Sequence, residues 1–149
     1  MDLDCTDAQA SLGDAVRKWV AKGYDFERRS SLVKAGGFSR EAYVELAALG
    51  LTGLYIPEDD GGLGMGPVEG MVVMEELGRG IVLEPFAQTL IAGAVLSGYA
   101  PEAGKSAWLP KIASGESRVV RACPGRGARD QAEKCYAKPA LGQEGWARA

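Results

Sequence analysis

The first apolar stripe of the chain begins behind Thr6 and Gln9, a pair with the spacing of a capping box at a helix N-terminus. Its members recur at intervals of three and four residues: Leu12, Ala15, Val16, Trp19 and Val20. This period places them on one face of an amphipathic helix, where core packing is the expected role. The helix is predicted to resume after Gly23 toward Val33 and to end at the glycines of "KAGG".

A second helix is predicted to start at Ser39, a residue type that caps helix N-termini, and to end at Gly50. It carries Tyr43, Leu46 and Ala47 on one face. A short apolar run, "LTGLYIP", follows it and leads into a loop rich in glycine. Up to this point the pattern indicates helices joined by short connections.

The loop "GGLGMGPVEG", residues 61–70, has the glycine content of a nucleotide-binding loop. A Walker A loop also needs Lys followed by Ser or Thr, and both are absent here. A dinucleotide-binding loop needs a third glycine where one register has Pro67 and the other has Glu69, whose carboxylate would repel a pyrophosphate. The adjacent acids 58–60 lack the alternate spacing of a calcium loop. We therefore predict a connector between helices.

Three further helices are predicted beyond this loop. Pro67 suits the first turn of one of them, and its predicted inward face consists of Val68, Met71, Val72 and Leu77. Pro85 opens the next, "PFAQTLIAGAVLSGYA", which is apolar nearly all round and is therefore predicted to be central in its bundle. The last spans residues 105–113, with Trp108, Leu109 and Ile112 predicted to face inward.

The composition changes near the end of the chain. Leu141 is the only large aliphatic residue from Cys123 to Ala149, so this segment buries too little apolar surface to offset its ordering entropy. "RVVRAC", residues 118–123, is compatible with one strand. We predict an all-α fold, a bundle of about five helices over residues 1–116. Residues 117–149 are predicted to be a short, incomplete β segment and a mobile tail.

Several classes of function are excluded by composition. The chain has no histidine, which rules out histidine-based nucleophilic sites and histidine-ligated zinc. Residues 118–149 hold seven basic and three acidic residues but no run of adjacent Lys or Arg, so no nucleic-acid partner is expected. The most apolar window, 81–100, is interrupted by polar residues, so no membrane partner is expected. Three widely spaced cysteines and an acidic N-terminus predict a cytoplasmic protein.

Three sequences together carry a resemblance: "FSREAYVELAALGLTGLYIPEDDGGLGMG", "VVMEELGRG" and "WLPKIASGE". Their order resembles the N-terminal helical domain of acyl-CoA dehydrogenases, strongly over Phe38–Glu116 and more weakly over Asp7–Lys34. "LEPFAQT" is similar to the small-subunit, pimeloyl-CoA dehydrogenase-like branch. The resemblance implies a flavoprotein with a helical domain, a middle β domain and a C-terminal helical bundle. The likeness is lost soon after Val120, so a chain truncated in the middle domain is expected.

In this family, the resemblance implies, a C-terminal glutamate removes the acyl-CoA α-proton while a hydride passes to the flavin of FAD. Electrons then go to an electron-transfer flavoprotein or another acceptor. The family's flavin loop corresponds to residues 122–129, where "ACPGRGAR" lacks the expected hydroxyl side chains. We therefore expect no catalytic residue, no metal ligand and no FAD-binding residue in this chain, and no FAD bound to it alone.

The resemblance implies that the fourth helix supplies part of the wall of the acyl pocket, and four residues match best: Ala87, Gln88, Leu90 and Ile91. For any one of them, ordinary bundle packing is the alternative. Gln88 is the most informative because a polar residue inside a bundle needs a partner.

Three interpretations of the whole chain remain open. It is an inactive N-terminal part of an acyl-CoA dehydrogenase, or a non-catalytic helical module that docks a full-length dehydrogenase in a homo- or hetero-oligomer. In the third interpretation, the tail from about residue 121 is a frame-shifted remnant.

Overall fold

A computed structural model describes residues 5–119, 139–142 and 145–148 of the chain. Six α-helices form the first of two compact units: α1 (Asp7–Gly23), α2 (Phe26–Lys34), α3 (Arg40–Ala48), α4 (Pro67–Arg79), α5 (Phe86–Tyr99) and α6 (Glu102–Ala113). Two 3-10 turns, Leu51–Gly53 and Glu58–Asp60, lie between α3 and α4. In the second unit, β1 (Pro139–Gly142) pairs antiparallel with β2 (Gly145–Arg148).

The predicted helical fold is confirmed. The structure has six helices rather than about five, because the stretch predicted as one helix that resumes after Gly23 forms two separate helices, α1 and α2. Thr6 and Gln9 form the expected capping box, in which the Gln9 amide donates to Thr6 Oγ1 at 3.3 Å and the Thr6 amide to Gln9 Oε1 at 3.0 Å. The chain breaks at Tyr24, and Asp25 then caps α2 by accepting from the amide of Arg28 at 2.8 Å. The predicted strand at 118–123 and the predicted disorder of the tail fall largely outside the described residues.

Two apolar clusters form the core of the helical unit. The larger one is built by buried side chains from α1, α3, the first 3-10 turn, α4 and α5: Val16, Leu46, Leu51, Leu54, Val73, Leu77, Phe86 and Leu90. The smaller one lies where α6 meets the chain between the two 3-10 turns: Ile56, Leu109, Ile112 and Ala113. The first part of the connector between α3 and α4, residues 51–56, is therefore packed between the two clusters.

Polar contacts tie α1 and its C-terminal turn to α4 and the turn that follows it. The donor–acceptor pairs are Gln9–Glu69 (2.8 Å), Arg17–Glu76 (2.7 Å) and Tyr24–Glu84 (2.8 Å). The partners are 60, 59 and 60 residues apart. This constant offset means that α1 and α4 run parallel, side by side. Hydrogen bonds from Arg17 lower the pKa of the Glu76 carboxyl below its usual range.

Some predicted inward faces are wrong. Four residues assigned to the core are exposed instead: Ala15, Val68, Met71 and Trp108. On α4 the buried face contains Val73, Glu76 and Leu77, so a carboxylate occupies a core position. Because apolar residues lie on both sides of this helix, the period alone did not fix which side packs inward.

Candidate functional site

The glycine loop folds back on the chain before it and uses its own backbone donors. The amides of Asp60 and Gly62 donate to Pro57 O, Gly61 to Glu58 O, Leu63 to Gly53 O, Gly64 to Ile56 O, and Met65 to Leu54 O, at 2.8 to 3.1 Å. The amide of Gly66 donates to Glu69 Oε2 at 2.9 Å. Residues 60–66 therefore offer no free amide to a phosphate, and the prediction of a connector is confirmed.

Glycine is required inside this loop for steric reasons. Gly61 and Gly64 have φ values of 84° and 60°, in the left-handed region that glycine adopts without strain. A Cβ atom at Gly62 would overlap the carbonyl oxygen of Ile56. The glycines thus allow one part of the backbone to pack closely against another. This packing explains why the loop has as many glycines as a nucleotide-binding loop.

The outer face of α5 presents three of the four predicted pocket residues. Gln88 is exposed, Ile91 is 45% exposed, and Ala87 lies beside them partly buried. Leu90 points to the opposite side and belongs to the larger core cluster at 3% exposure. The structure therefore brings Ala87, Gln88 and Ile91 together and separates Leu90 from them. Gln88 faces solvent, so it needs no partner within the protein.

This face continues as an apolar strip along the whole of α5. Val95 is 47% exposed and Tyr99 is 87% exposed, and the exposed Ala94 lies between them and Ile91. The prediction that α5 is central in its bundle is therefore wrong on this side. The helix is apolar on both faces, but within residues 5–119 only one of the two is covered.

A buried carboxylate fixes the start of α5. Glu84 is 5% exposed, and it accepts from the hydroxyl of Tyr24 at 2.8 Å and from the amide of Ser39 at 3.3 Å. The same hydroxyl accepts from the amide of Leu83 at 3.0 Å. Burial raises the pKa of Tyr24 from 10.0 to about 12, so the hydroxyl stays a protonated donor to a higher pH than an ordinary tyrosine does. These contacts join the turns before α2, α3 and α5.

The role of Glu84 was not predicted from the sequence. The available signal was a single acid in the most apolar window of the chain, which was interpreted only as an argument against a membrane span. Because a carboxylate is rarely buried without hydrogen-bond donors, its position predicts a specific partner. The partner, Tyr24, lies 60 residues earlier in the sequence, and no local pattern identifies it.

The inner side of α5 is held by a second hydroxyl pair. Tyr43 and Thr89 are both fully buried, and their hydroxyl oxygens lie 3.1 Å apart. Thr89 Oγ1 also lies 3.1 Å from the carbonyl oxygen of Pro85, to which it donates. The orientation of α5 about its own axis is thus set by polar contacts just before its first residue and within its first turn.

A groove of about 550 Å³ lies along the outer side of α4, away from the outer face of α5. Its lining residues are Tyr55, Pro67, Gly70, Met71, Met74 and Glu75. The Tyr55 hydroxyl covers Gly70 so closely that a Cβ atom there would overlap it. The sequence prediction missed this groove because it assigned Met71 to the core.

Comparison with known proteins identifies the helical unit. The family model described as "Acyl-CoA dehydrogenase, N-terminal domain" matches residues 6–116. The chain belongs to the acyl-CoA dehydrogenase family. This match confirms the resemblance, and the matched range ends just after α6.

Individual acyl-CoA dehydrogenases are similar in sequence to the helical unit of this chain. The chain is 45% identical to (2S)-methylsuccinyl-CoA dehydrogenase of Cereibacter sphaeroides over 79 residues, 48% of this chain and 13% of that protein. It is 30% identical to acyl-CoA dehydrogenase fadE12 of Mycobacterium tuberculosis (strain CDC 1551 / Oshkosh) over 112 residues, 74% of this chain and 29% of that protein. The chain thus spans less than a third of the length of these relatives.

A solved acyl-CoA dehydrogenase structure shares the fold. The enzyme from Bacillus anthracis, complexed with FAD, superimposes with a TM-score of 0.75 at 22% identity, covering 97% of this chain and 26% of that one. FAD is the cofactor of the family. In this chain, however, the amides of residues 60–66 are engaged internally and do not fit its diphosphate. The loop that the resemblance assigns to the flavin, residues 122–129, lies outside the described residues.

Within the part of the chain that the structure describes, no three His, Cys, Asp or Glu residues lie close enough to hold a metal ion. None of the described helices is both long enough and apolar enough to cross a bilayer.

Proposed function

We propose that this chain is the N-terminal part of an FAD-dependent acyl-CoA dehydrogenase, which desaturates the α,β bond of an acyl-CoA thioester. Its contribution is a wall of the acyl pocket, formed by the outer face of α5. The observation that carries the proposal is the apolar strip on that face, where Ile91 and Val95 are nearly half exposed. Such a strip lowers its free energy when another domain or an acyl chain covers it.

The geometry also supports the fixed position that a pocket wall requires. The Tyr24–Glu84 contact holds the start of α5, and the Tyr43–Thr89 contact holds its inner side. The two buried acids of the helical unit both accept hydrogen bonds: Glu76 accepts from Arg17, and Glu84 accepts from Tyr24. Neither is free to act as a base, so we propose that this chain does not turn over acyl-CoA by itself.

A chimera tests the pocket wall. Residues 6–116 would replace the corresponding domain of the Mycobacterium tuberculosis relative, and flavin reduction would be followed with a series of acyl-CoA chain lengths. Ile91→Trp should raise the KM for long acyl groups more than for short ones, because the larger ring narrows the pocket. Val44→Trp is the matched control, since Val44 is also 45% exposed but lies on α3. Equal effects of the two substitutions would refute the wall assignment.

A separate measurement tests the proposed inactivity. The 149-residue chain would be titrated with FAD and followed by flavin fluorescence, with the Mycobacterium tuberculosis relative as the positive control. We expect no saturable change for the chain alone. Stoichiometric flavin in the purified chain would contradict the proposal.

A second candidate function is docking of the chain onto a full-length dehydrogenase subunit. The same strip on α5 supports it, because Tyr99 is 87% exposed and a large exposed apolar surface favours association. In the first proposal electrons pass to an electron-transfer flavoprotein, whereas a docking module needs no acceptor. Co-purification with a full-length dehydrogenase tests the idea. Ile91→Asp should abolish the complex, and Val44→Asp should leave it intact.

A further inference from the structure

The outer face of α2 and the turn after α4 form one exposed apolar patch. Phe26 and Val33 lie seven residues apart on the same face of α2 and are 72% and 61% exposed. Ile81, in the turn after α4, is 60% exposed. Arg29 connects them, because its guanidinium lies 5.6 Å from the centre of the Phe26 ring and its Nη1 donates to the carbonyl oxygen of Gly80 at 2.8 Å. Phe26, Val33 and Ile81 are called the α2 patch below.

The backbone at Ile81 is strained, although the Ile81 side chain is mostly exposed and adds little to the core. The amides of Ile81 and Val82 donate to the carbonyl oxygens of Gly78 and Leu77, both at 3.0 Å, which is the pattern of a Schellman helix end. Ile81 takes the left-handed position with a φ of 50°, where glycine is the favoured residue and a β-branched one is unusual. Strain of this kind concentrates at functional sites.

Helix α2 is equally unusual because it has no buried residue. A helix of nine residues gains most of its stability from packing an apolar face, yet here Phe26 and Val33 are exposed and Leu32 is only half-buried. Both parts of the α2 patch, the helix α2 and the turn that contains Ile81, therefore expose apolar side chains to solvent.

The segment of the sequence that contains α2 carries a net positive charge. Residues 18–34 contain five basic and two acidic residues, whereas the helical unit as a whole is acidic. Lys22 lies in the last turn of α1 and Lys34 in the last turn of α2. Arg28 is paired with Glu45 at 3.0 Å. Arg29 contacts the Phe26 ring, and Lys34 follows Val33 directly in the sequence, so these two cations accompany the patch, with Lys22 at the end of the preceding helix. Screening over about 8 Å at physiological ionic strength means that the net positive charge of this segment, with its own acids Asp25 and Glu27 included, outweighs the acids that lie farther away.

The shape and charge together favour one kind of partner. Side chains that are 60% to 72% exposed stand above the surface, and a protein partner would need hollows that match all three. The headgroup region of a bilayer accepts protruding apolar groups of any arrangement, and basic residues beside them attract anionic lipids. We propose that the α2 patch binds peripherally to an anionic bilayer, with Lys22, Arg29 and Lys34 among the lipid phosphates.

Vesicle flotation with the 149-residue chain tests this proposal. One set of vesicles is phosphatidylcholine alone, and in the other set one third of the lipid is phosphatidylserine. The chain should float with the anionic vesicles only, and less of it at high salt. Phe26→Ser should lower the partition coefficient about tenfold, because an aromatic ring no longer enters the interface. Lys34→Gln should weaken binding by about fivefold, through the lost charge.

Ile81→Gly separates lipid binding from stability. It removes an apolar side chain and relieves the strained backbone, so vesicle binding should fall while the melting temperature rises. Trp108→Ser is the control, since Trp108 is 42% exposed on α6, outside the patch. Equal binding to neutral vesicles, or equal losses for Trp108→Ser and Ile81→Gly, would overturn the proposal. So would a dimer of the chain that Ile81→Gly dissociates, because a second copy would then occupy the patch.

Discussion

Replacing Tyr24 with phenylalanine should destabilise the helical unit more than the same change at Tyr43. Tyr24 is 2% exposed and Tyr43 is fully buried, so each substitution removes one hydroxyl from an interior site. The Tyr24 hydroxyl donates to the buried Glu84 carboxylate and accepts from the Leu83 amide. Among the described residues, the Tyr43 hydroxyl hydrogen-bonds only to Thr89, which keeps its own bond to the carbonyl oxygen of Pro85. The two variants therefore differ in what they leave without a partner.

The magnitude follows from those partners. A hydrogen bond to a charged group contributes about 1.5 to 3 kcal/mol, and a buried group left without a partner costs about 1 to 3 kcal/mol. Tyr24→Phe removes one of the two donors to the buried Glu84 carboxylate and the acceptor of the partly exposed Leu83 amide, so we expect a loss of about 3 kcal/mol. Tyr43→Phe removes only a hydrogen bond between two uncharged hydroxyls and should cost about 1 kcal/mol. In a unit of this size the difference corresponds to about 10 °C in melting temperature.

Urea unfolding of the 149-residue chain, followed by far-ultraviolet circular dichroism, measures both losses. Alkaline pH gives a second readout. Folding raises the pKa of Tyr24 from its ordinary 10.0 to about 12, so its contribution is complete below pH 10 and is lost as pH rises through 12. Tyr43→Phe should keep this alkaline loss, and Tyr24→Phe should lack it. Equal urea midpoints for the two variants would refute the reasoning.

Three further changes are expected to have measurable effects on the same chain. Gly62→Ala should lower stability by about 3 kcal/mol in urea unfolding, because the new methyl group overlaps the carbonyl oxygen of Ile56; an unchanged midpoint would contradict that overlap. Ile81→Gly should raise stability by about 1 kcal/mol through relief of the left-handed backbone, visible in the same assay. Because Arg17 lowers the pKa of Glu76, this pair stabilises the fold above the ordinary carboxyl pKa and loses its effect as pH falls through the lowered value. Arg17→Met should therefore flatten the acid limb of a stability-against-pH curve, and an unaltered limb would count against the pairing.

Local sequence signals predicted where the helices begin and end better than they predicted which side of each helix packs inward. The Thr6–Gln9 capping box, the cap at Ser39 and the stop at Gly50 depend on neighbouring residues, and all three are present in the structure. Met71 and Trp108 were assigned to the core because an apolar residue at helical spacing usually packs there. They are exposed because their helices carry apolar residues on more than one side.

The candidate site was predictable only in part, for a related reason. The resemblance located the α5 segment, but separation of Leu90 from Gln88 and Ile91 needs the rotation of the helix about its axis. That rotation is set by contacts with Tyr24 and Tyr43, which lie more than 40 residues away in the sequence. The frame-shift interpretation of the tail stays a prediction, and the nucleotide sequence around residue 121 tests it.

The parallel arrangement of α1 and α4 has a consequence during translation. Each contact between them joins residues about 60 positions apart, so α1 leaves the ribosome long before its partner exists. At about 5 to 20 residues per second, the N-terminal helix waits for roughly 3 to 12 seconds with its apolar stripe uncovered. The nascent chain therefore passes through an interval in which chaperones have access to Val16 and Trp19, and this interval closes only when Glu84 has emerged.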